Sequence, residues 1–146
     1  MKISTQTRYA VRLMLELSLK RAEGIDRMTA KDIAQCQGIS EKYLEAIATK
    51  LCRAGLISSM KGVGGGYSIA HDPKEVSIGD IMRLMETTYF ERHCVKDADK
   101  CCPMYDGCIL SDFWQVLEGA ITNVVDNVSI ADVAKQHMAR TQESVV

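Results

Sequence analysis

The sequence predicts a mainly α-helical protein, built as a winged helix-turn-helix domain followed by a long C-terminal helix. Two short helical stretches joined at a glycine lie within 29–55, and a glycine-rich hairpin follows them at 56–70. A long apolar stripe at helical spacing then runs through 109–128. The 146 residues suffice for one typical domain with a substantial core, and they show no internal repeat.

The composition is that of an ordinary globular chain. Hydrophobic residues make up 47% of it and charged residues 25%, so extensive disorder is not expected. No apolar run reaches the length of a membrane span, and Arg8 and Arg12 interrupt the N-terminal apolar positions, which is not typical of a signal peptide. We therefore expect a cytoplasmic protein with no membrane partner, in a compartment where stable disulfides are uncommon.

The first helix is predicted over 7–21, where apolar side chains recur at three- and four-residue spacing. Thr5 or Thr7 is expected to cap its start, and Gly24 lies just beyond its end. Its inward face is formed by Tyr9, Leu13, Met14 and Leu17.

Two shorter helices follow the first. Thr29 begins one of them, with Asp32 at the spacing of a capping box, and Gly38 ends it. Ser40 begins the next helix, which Gly55 closes. Two helices around a tight glycine-containing turn form a helix-turn-helix.

The pattern changes period after the third helix. Residues 56–59 and 67–70 are predicted to be short strands, and three consecutive glycines at 64–66 lie between them. A helix-turn-helix followed by such a hairpin is a winged helix. The glycines do not form a nucleotide-binding loop, because they lack the GxxxxGKS/T pattern and join strand to strand.

The apolar stripe at 109–128 predicts a dimerisation helix. It is too wide for a small winged domain to cover alone, so a second copy of the chain is expected to pack on it. The alternative is that this helix folds back onto its own domain. The apolar positions of the stripe are Ile109, Leu110, Phe113, Trp114, Leu117, Ala120, Ile121, Val124, Val125 and Val128.

Two further capping signals divide the rest of the chain. Ser77 with Asp80 begins one helix, and Ser129 with Asp132 begins a short last one. The predicted divisions are the winged helix-turn-helix domain at 1–86, a cysteine-rich loop without helical periodicity at 87–108, the dimerisation helix at 109–128, and a short terminal helix with a tail at 129–146.

The two halves of the chain differ in charge. Residues 1–63 carry 11 Lys and Arg against 6 Asp and Glu, whereas 64–146 carry 7 against 13. A basic front half indicates an anionic partner, and the second helix of a helix-turn-helix enters the major groove of DNA. The winged domain is therefore the predicted binding domain for double-stranded DNA. The alternative is an ordinary scatter of surface charge.

The N-terminal part of the third helix is expected to face base pairs. Ser40 suits a phosphate, and Lys42 suits either a phosphate or a guanine edge. Glu45 can accept a hydrogen bond from a cytosine amino group, unless it is an exposed residue paired within its own helix. Tyr43 is as readily a core residue as a contact. Lys61 of the wing is either a phosphate or minor-groove anchor or a solvated lysine. The candidate DNA contacts are Ser40, Lys42, Tyr43, Glu45, Thr49 and Lys61.

Four of the six cysteines fall within CVKDADKCCPMYDGC, which runs from Cys94 to Cys108. Their spacing matches neither the paired CxxC motifs of structural zinc sites nor the CxxCxxC run of bacterial ferredoxins. From spacing alone an iron–sulfur cluster, a zinc ion and redox-active thiols remain open. Cys36 and Cys52 lie elsewhere and are expected to be small core residues. Without a CxxC pair or a set of grouped histidines, an enzyme is not expected.

Three stretches make the sequence recognisable: MKISTQTRYAVRLML, GISEKYLEAIATKLCRAGLISSMKGVGGGY, and the cysteine segment followed by LSDFW. Together they resemble the IscR/NsrR/CymR-type (Rrf-type) family of bacterial winged-helix regulators, over about residues 1–135. The resemblance implies a homodimeric transcriptional regulator, a repressor that binds a palindromic operator and has no small-molecule substrate. Many members of this family hold an iron–sulfur cluster, either 2Fe–2S or 4Fe–4S, through three loop cysteines.

By position, the resemblance assigns the three cluster ligands to Cys94, Cys102 and Cys108. Cys102 is preferred to Cys101 because relatives carry a CPxxxxC form. Some members carry no cluster and respond to thiol oxidation or to a protein partner from cysteine metabolism. Such a cluster-free regulator is the alternative for this chain, although all three loop cysteines are present.

The chain departs from the family pattern at the fourth ligand and at the wing. The position of the histidine ligand of one branch is Ser111 here, and the position of the aspartate ligand of another is Arg8. The wing carries Lys61 before Gly62 where the family usually has arginine, which keeps the charge but loses the two-pronged guanidinium. The candidates for the fourth ligand are Cys101, His93, Asp112, Asp106 and Glu91.

Overall fold

The computed structural model describes residues 3–86, 102 and 108–143. It confirms the mainly helical fold with a two-stranded wing. In the described residues the elements are α1 (Thr5–Ala22), α2 (Ala30–Gln37), α3 (Glu41–Arg53), β1 (Ile57–Met60), β2 (Gly66–Ile69), α4 (Ile78–Met85), α5 (Ile109–Asp126) and α6 (Ile130–Glu143).

Helix α1 begins two residues earlier than predicted, because Ser4 is its N-cap in place of Thr5 or Thr7. The Ser4 hydroxyl accepts a hydrogen bond from the Thr7 amide at 3.1 Å. Thr7 is 1% exposed and therefore belongs to the interior of the protein. The same turn is extended by a bond from the Arg8 amide to the Ser4 carbonyl.

Helices α2 and α3 form the predicted helix-turn-helix. The Thr29 hydroxyl accepts from the Asp32 amide at 3.1 Å and donates to the Asp32 carboxylate at 2.7 Å. Gly38 ends α2 with φ +66°, a left-handed conformation that glycine adopts without steric cost. Ser40 then caps α3 as predicted, by accepting from the Tyr43 amide at 3.2 Å. The inner side of α3 consists of Leu44, Ile47, Ala48 and Leu51, all fully buried.

The wing hairpin is fixed to the α1–α2 connection as well as paired within itself. Strands β1 and β2 are antiparallel and each lies one residue away from its predicted position, with Met60 opposite Gly66. The Met28 amide donates to the Tyr67 carbonyl at 3.0 Å, and the Tyr67 amide returns a bond to Met28 at 2.8 Å. Gly66 has φ +138°, and a Cβ there would lie 2.4 Å from the Met28 carbonyl oxygen, so this connection requires glycine.

Helix α6 is longer than the short terminal helix that the sequence predicts. It has 14 residues and packs against α1. Ile130 is fully buried and Ala134 is 6% exposed, so α6 contributes to the core of the winged domain. In the structure α6 therefore packs with the winged domain, although the predicted divisions list it separately.

Helix α5 differs from the others because none of its side chains is buried. It packs chiefly against α4, whose predicted capping box between Ser77 and Asp80 is present. Its large exposed apolar side chains are Ile109, Leu110, Phe113, Val116 and Val124, of which Val116 lies outside the predicted stripe. Within the described ranges, no helix is long and apolar enough to cross a membrane.

Candidate nucleic-acid interface

The outer face of α3 is polar and exposed, opposite the buried apolar face. Lys42, Glu45 and Thr49 are exposed at three- and four-residue spacing, so they line one side of the helix. Ser40 is exposed at the N-terminus of α3, where backbone N–H groups and the helix dipole favour a phosphate. Its hydroxyl oxygen is used by the cap, while the hydroxyl proton can still be donated to a ligand.

Tyr43 lies between the core and the surface. Its ring meets that of Tyr9 edge-on, with the ring centres 5.9 Å apart, and the guanidinium of Arg12 lies 5.3 Å from the centre of the Tyr9 ring. These contacts fix the orientation of Tyr43 while leaving it half-exposed. Tyr43 is therefore partly a core residue and partly accessible to a ligand.

Glu45 presents its carboxylate outward from the middle of the exposed face. Thr49 donates its hydroxyl proton to the backbone carbonyl of Glu45 at 2.7 Å, so this bond does not engage the carboxylate. Within the described residues, no ion pair joins Glu45 to Lys42. The carboxylate is thus available to an external hydrogen-bond donor, as base recognition requires.

The wing tip presents a positive charge beside an apolar side chain. Lys61 is exposed, and Val63 is exposed to its full extent. Gly62 and Gly64 have φ of +92° and +73°, which allows the tight turn between the strands. Such a narrow, glycine-rich tip can approach a groove of DNA closely.

Part of the predicted cluster site falls within the described residues. Cys102 and Cys108 are half-buried, and Cys108 is the N-cap residue of α5. Asp112 is exposed in the first turn of α5, with a 3.4 Å contact to the Ser111 hydroxyl. Among the residues that the structure describes, no three His, Cys, Asp or Glu side chains are grouped closely enough to hold a metal ion. The predicted positions Cys94, Cys101, His93, Asp106 and Glu91 lie outside the described residues.

The first turn of α1 is hydrogen-bonded both to the residue before the cysteine-rich segment and to α3. The sequence did not reveal these contacts. Glu86 directly precedes this segment, and its Oε1 accepts hydrogen bonds from the Ser4 amide at 2.8 Å and from the Thr7 hydroxyl. These bonds, the one from Thr7 foremost, lower the pKa of Glu86. One residue away, Gln6 accepts a hydrogen bond from Lys50 of α3 at 2.6 Å.

The prediction for the two other cysteines was wrong for Cys36. Its side chain is exposed on α2, because the inward face of that helix is formed by Ile33, Ala34 and Gln37. Cys52 is half-buried and packs against the core, which agrees better with a structural role.

A helix-turn-helix with a polar outer face on its second helix, together with a glycine-tipped wing, defines a winged helix-turn-helix DNA-binding protein. Residues 3–136 match the Rrf2 family model, described as an iron-dependent transcriptional regulator. The chain belongs to this family. It is therefore a transcriptional regulator and not an enzyme.

Three relatives illustrate the similarity. The chain is 33% identical to protein rrf2 of Nitratidesulfovibrio vulgaris, over 92% of this chain and 88% of that protein. It is also 33% identical to the regulator IscR of Aliivibrio salmonicida, over 91% and 77% of the two chains. The solved structure of CymR, the global cysteine regulator of B. subtilis, superposes with a TM-score of 0.74 at 32% identity, covering 93% of this chain and 98% of CymR.

Proposed function

We propose that the chain is a homodimeric transcriptional repressor whose binding to a palindromic operator is controlled by an iron–sulfur cluster. In this proposal Cys94, Cys102 and Cys108 hold the cluster. The observation that carries it is the position of Cys108 as the N-cap residue of α5, the helix with no buried side chain. A ligand there would act directly on the helix through which two copies would pair.

The donor chemistry of the described residues fits such a cluster. Thiolates are soft ligands suited to iron–sulfur centres, and both described loop cysteines are half-buried rather than fully solvated. Asp112 follows Cys108 by four residues, about one helical turn, and is a possible fourth ligand beside Cys101 and His93. When bound, the cluster would supply a centre whose oxidation state and stability depend on redox conditions.

The exposed apolar face of α5 supports pairing with a second copy. Ile109 is 91% exposed and Val116 is 71% exposed. The other exposed large apolar side chains of this helix, Leu110, Phe113 and Val124, are each more than half exposed. Burying a face of this kind against a two-fold related helix would remove it from water, at about 25 cal/mol per Å².

Control of DNA binding needs a physical route from the cysteines to α3. The hydrogen bonds of Glu86 connect the residue before the cysteine segment to the first turn of α1. Lys50 of α3 is bonded to Gln6 of the same turn. A rearrangement of the segment that pulls on Glu86 would therefore act on the helix that carries Lys42 and Glu45.

Anaerobic purification tests the proposal. The expected result is a coloured protein with visible absorption and bound iron and sulfide, whose affinity for its selected operator changes when the cluster is removed. Cys108→Ala should abolish the colour, whereas Cys36→Ala, which removes an exposed thiol outside the segment, should keep it. A colourless protein after anaerobic reconstitution would contradict the proposal.

The second candidate is a cluster-free regulator that is switched by thiol oxidation or by a protein partner from cysteine metabolism. The similarity to CymR favours it. Mild peroxide followed by mass mapping should then reveal a disulfide or a sulfenic acid that accompanies the change in DNA binding. If DNA binding changes while every thiol stays reduced, the oxidation route is wrong.

A further inference from the structure

A five-residue pattern occurs twice in the described residues, each time at the start of a helix. VSIGD at 76–80 begins α4, and VSIAD at 128–132 begins α6. In each copy the serine hydroxyl accepts from the amide of the aspartate three residues on, at 3.0 Å in the first and 3.1 Å in the second. The aspartate accepts in return from the serine amide, so both helices begin with a capping box.

The two copies also bind each other. The Ile78 amide donates to the Val128 carbonyl at 2.9 Å, and the Ile130 amide donates to the Val76 carbonyl at 2.9 Å. The two bonds make a reciprocal antiparallel bridge centred on Ser77 and Ser129. The turn between α5 and α6 is thereby attached to the start of α4.

An ion pair next to this bridge attaches the end of α5 to α4. Arg83 Nη1 lies 2.7 Å from Asp126 Oδ1, and Arg83 Nη2 lies 3.0 Å from Asp80 Oδ1. A Cβ at Gly79 would lie 1.9 Å from the same Asp126 oxygen. The Asp126 side chain therefore occupies the space of the missing methyl group, which explains why the first motif has glycine where the second has Ala131.

We call Gly79, Arg83 and Asp126, together with the bridge, the α4–α5 joint. We propose that this joint fixes the angle between the winged domain and α5, and so sets the distance between the two recognition helices of a dimer. It would then determine which spacing of operator half-sites the protein accepts. The inference rests on the proposed function, in which α5 mediates dimerisation.

The geometry supports this role because, among the residues that the structure describes, α5 packs chiefly against α4. None of its side chains is buried, whereas its last residue, Asp126, is bonded to Arg83 of α4. Two peptide hydrogen bonds attach the turn that follows to the start of α4. A change of angle at the C-terminal end of α5 would displace its N-terminal end in proportion to the length of the helix. That length is about 27 Å at 1.5 Å per residue. Gly79, Arg83 and Asp126 are positioning residues, distant in sequence from the DNA-contacting face of α3.

Two variants loosen the joint by different means. Asp126→Asn removes the charge from the ion pair, and Gly79→Ala displaces the Asp126 side chain with a methyl group. Asp72→Asn is the matched control, because it removes a carboxylate charge outside the joint, and asparagine keeps the oxygen that accepts from the Lys74 amide. Melting curves and sedimentation establish that each variant is folded and in which oligomeric state.

The assay selects inverted-repeat DNA from a library in which the spacer between half-sites varies. Wild type and Asp72→Asn should select one spacer length. Asp126→Asn and Gly79→Ala should accept neighbouring lengths as well, and lose about two- to fivefold affinity for the preferred one, as expected for a partly exposed ion pair. With a spin label introduced as a noncanonical amino acid at Lys31, the distribution of distances between the two copies should be broader in these two variants than in wild type.

Unchanged spacer selection and an unchanged distance distribution in both loosened dimers would overturn the inference and leave the proposed function intact. A monomeric wild type that gives no interspin distance would instead refute the proposed dimer, and this inference with it.

Discussion

Replacing Glu86 by glutamine tests the connection between the cysteine segment and α1. Glutamine has the same shape and keeps an oxygen acceptor, so the two hydrogen bonds from Ser4 and Thr7 can still form. What changes is the charge, because a neutral acceptor replaces a carboxylate at the N-terminus of a helix.

The expected loss follows from the two bonds. Hydrogen bonds to charged groups contribute about 1.5–3 kcal/mol and neutral ones about 0.5–1.5 kcal/mol, which puts the difference near 1 kcal/mol for each bond. Because Glu86 is partly exposed, solvent screening reduces the sum, and we expect Glu86→Gln to destabilise the fold by about 1 kcal/mol. For a chain of this size that corresponds to a fall in Tm of about 3–5 °C.

The pH dependence provides the decisive test. The pKa of Glu86 in the folded protein lies below the ordinary glutamate value of 4.5, so the carboxylate stabilises the fold fully above that pH. This stabilisation is lost as the pH falls through the lowered pKa. The difference in Tm between wild type and Glu86→Gln should therefore be constant from about pH 6 to 8 and shrink below the ordinary glutamate pKa of 4.5.

Thermal denaturation followed by circular dichroism measures this difference. Glu75→Gln is the control, since Glu75 is an exposed carboxylate and its change should leave Tm unaltered at every pH. A difference for Glu86→Gln that is absent at neutral pH, or that persists unchanged below the folded pKa, would refute the role assigned to the carboxylate.

Three further predictions concern DNA reading and the wing. Glu45→Gln should reduce discrimination at one base pair of the operator by about 1–3 kcal/mol, measured by competition with substituted operators. Lys61→Ala should weaken binding to all DNA alike and reduce the slope of log affinity against log salt by about 1, whereas a change confined to one sequence would argue against a phosphate contact. Gly66→Ala should cost about 2–4 kcal/mol in denaturant unfolding, because its φ of +138° and the Met28 carbonyl leave no room for a methyl group.

Local signals accounted for most of the fold. Serine or threonine begins α2, α3, α4 and α6, as predicted. In α2, α4 and α6 an aspartate three residues on completed the signal. The exception is α1, where three neighbouring residues could all serve as the cap. Ser4 is the cap in the structure, where its amide is also hydrogen-bonded to Glu86, 82 residues away in the sequence. No local pattern contains that information.

The same reason explains what the sequence missed elsewhere. Cys36 was assigned to the core from its residue type, although the burial of Ile33 and Gln37 turns that position outward. The sequence around Gly79 does not show that glycine is needed there, because the space of its missing methyl group is taken by Asp126 of another helix. The exposure of Cys36 depends on how α2 is oriented in the fold, and the need for Gly79 depends on a side chain from another helix.

Helix α4 connects the two parts of the proposed regulation, because different groups are attached to its two ends. Its C-cap residue Glu86 binds the first turn of α1, which in turn is bonded to Lys50 of α3. Its first residue, Ile78, is bonded to Val128 in the turn after α5, and Arg83 is bonded to Asp126 at the end of α5. The cysteine-rich segment lies in the chain between Glu86 and α5. A change in the segment can therefore reorient α3 within one subunit through Glu86, or alter the angle of α5 between subunits through the joint. The two routes predict different results, since the first changes affinity for a single half-site, whereas the second changes the accepted spacing between half-sites and leaves affinity for a single half-site unchanged.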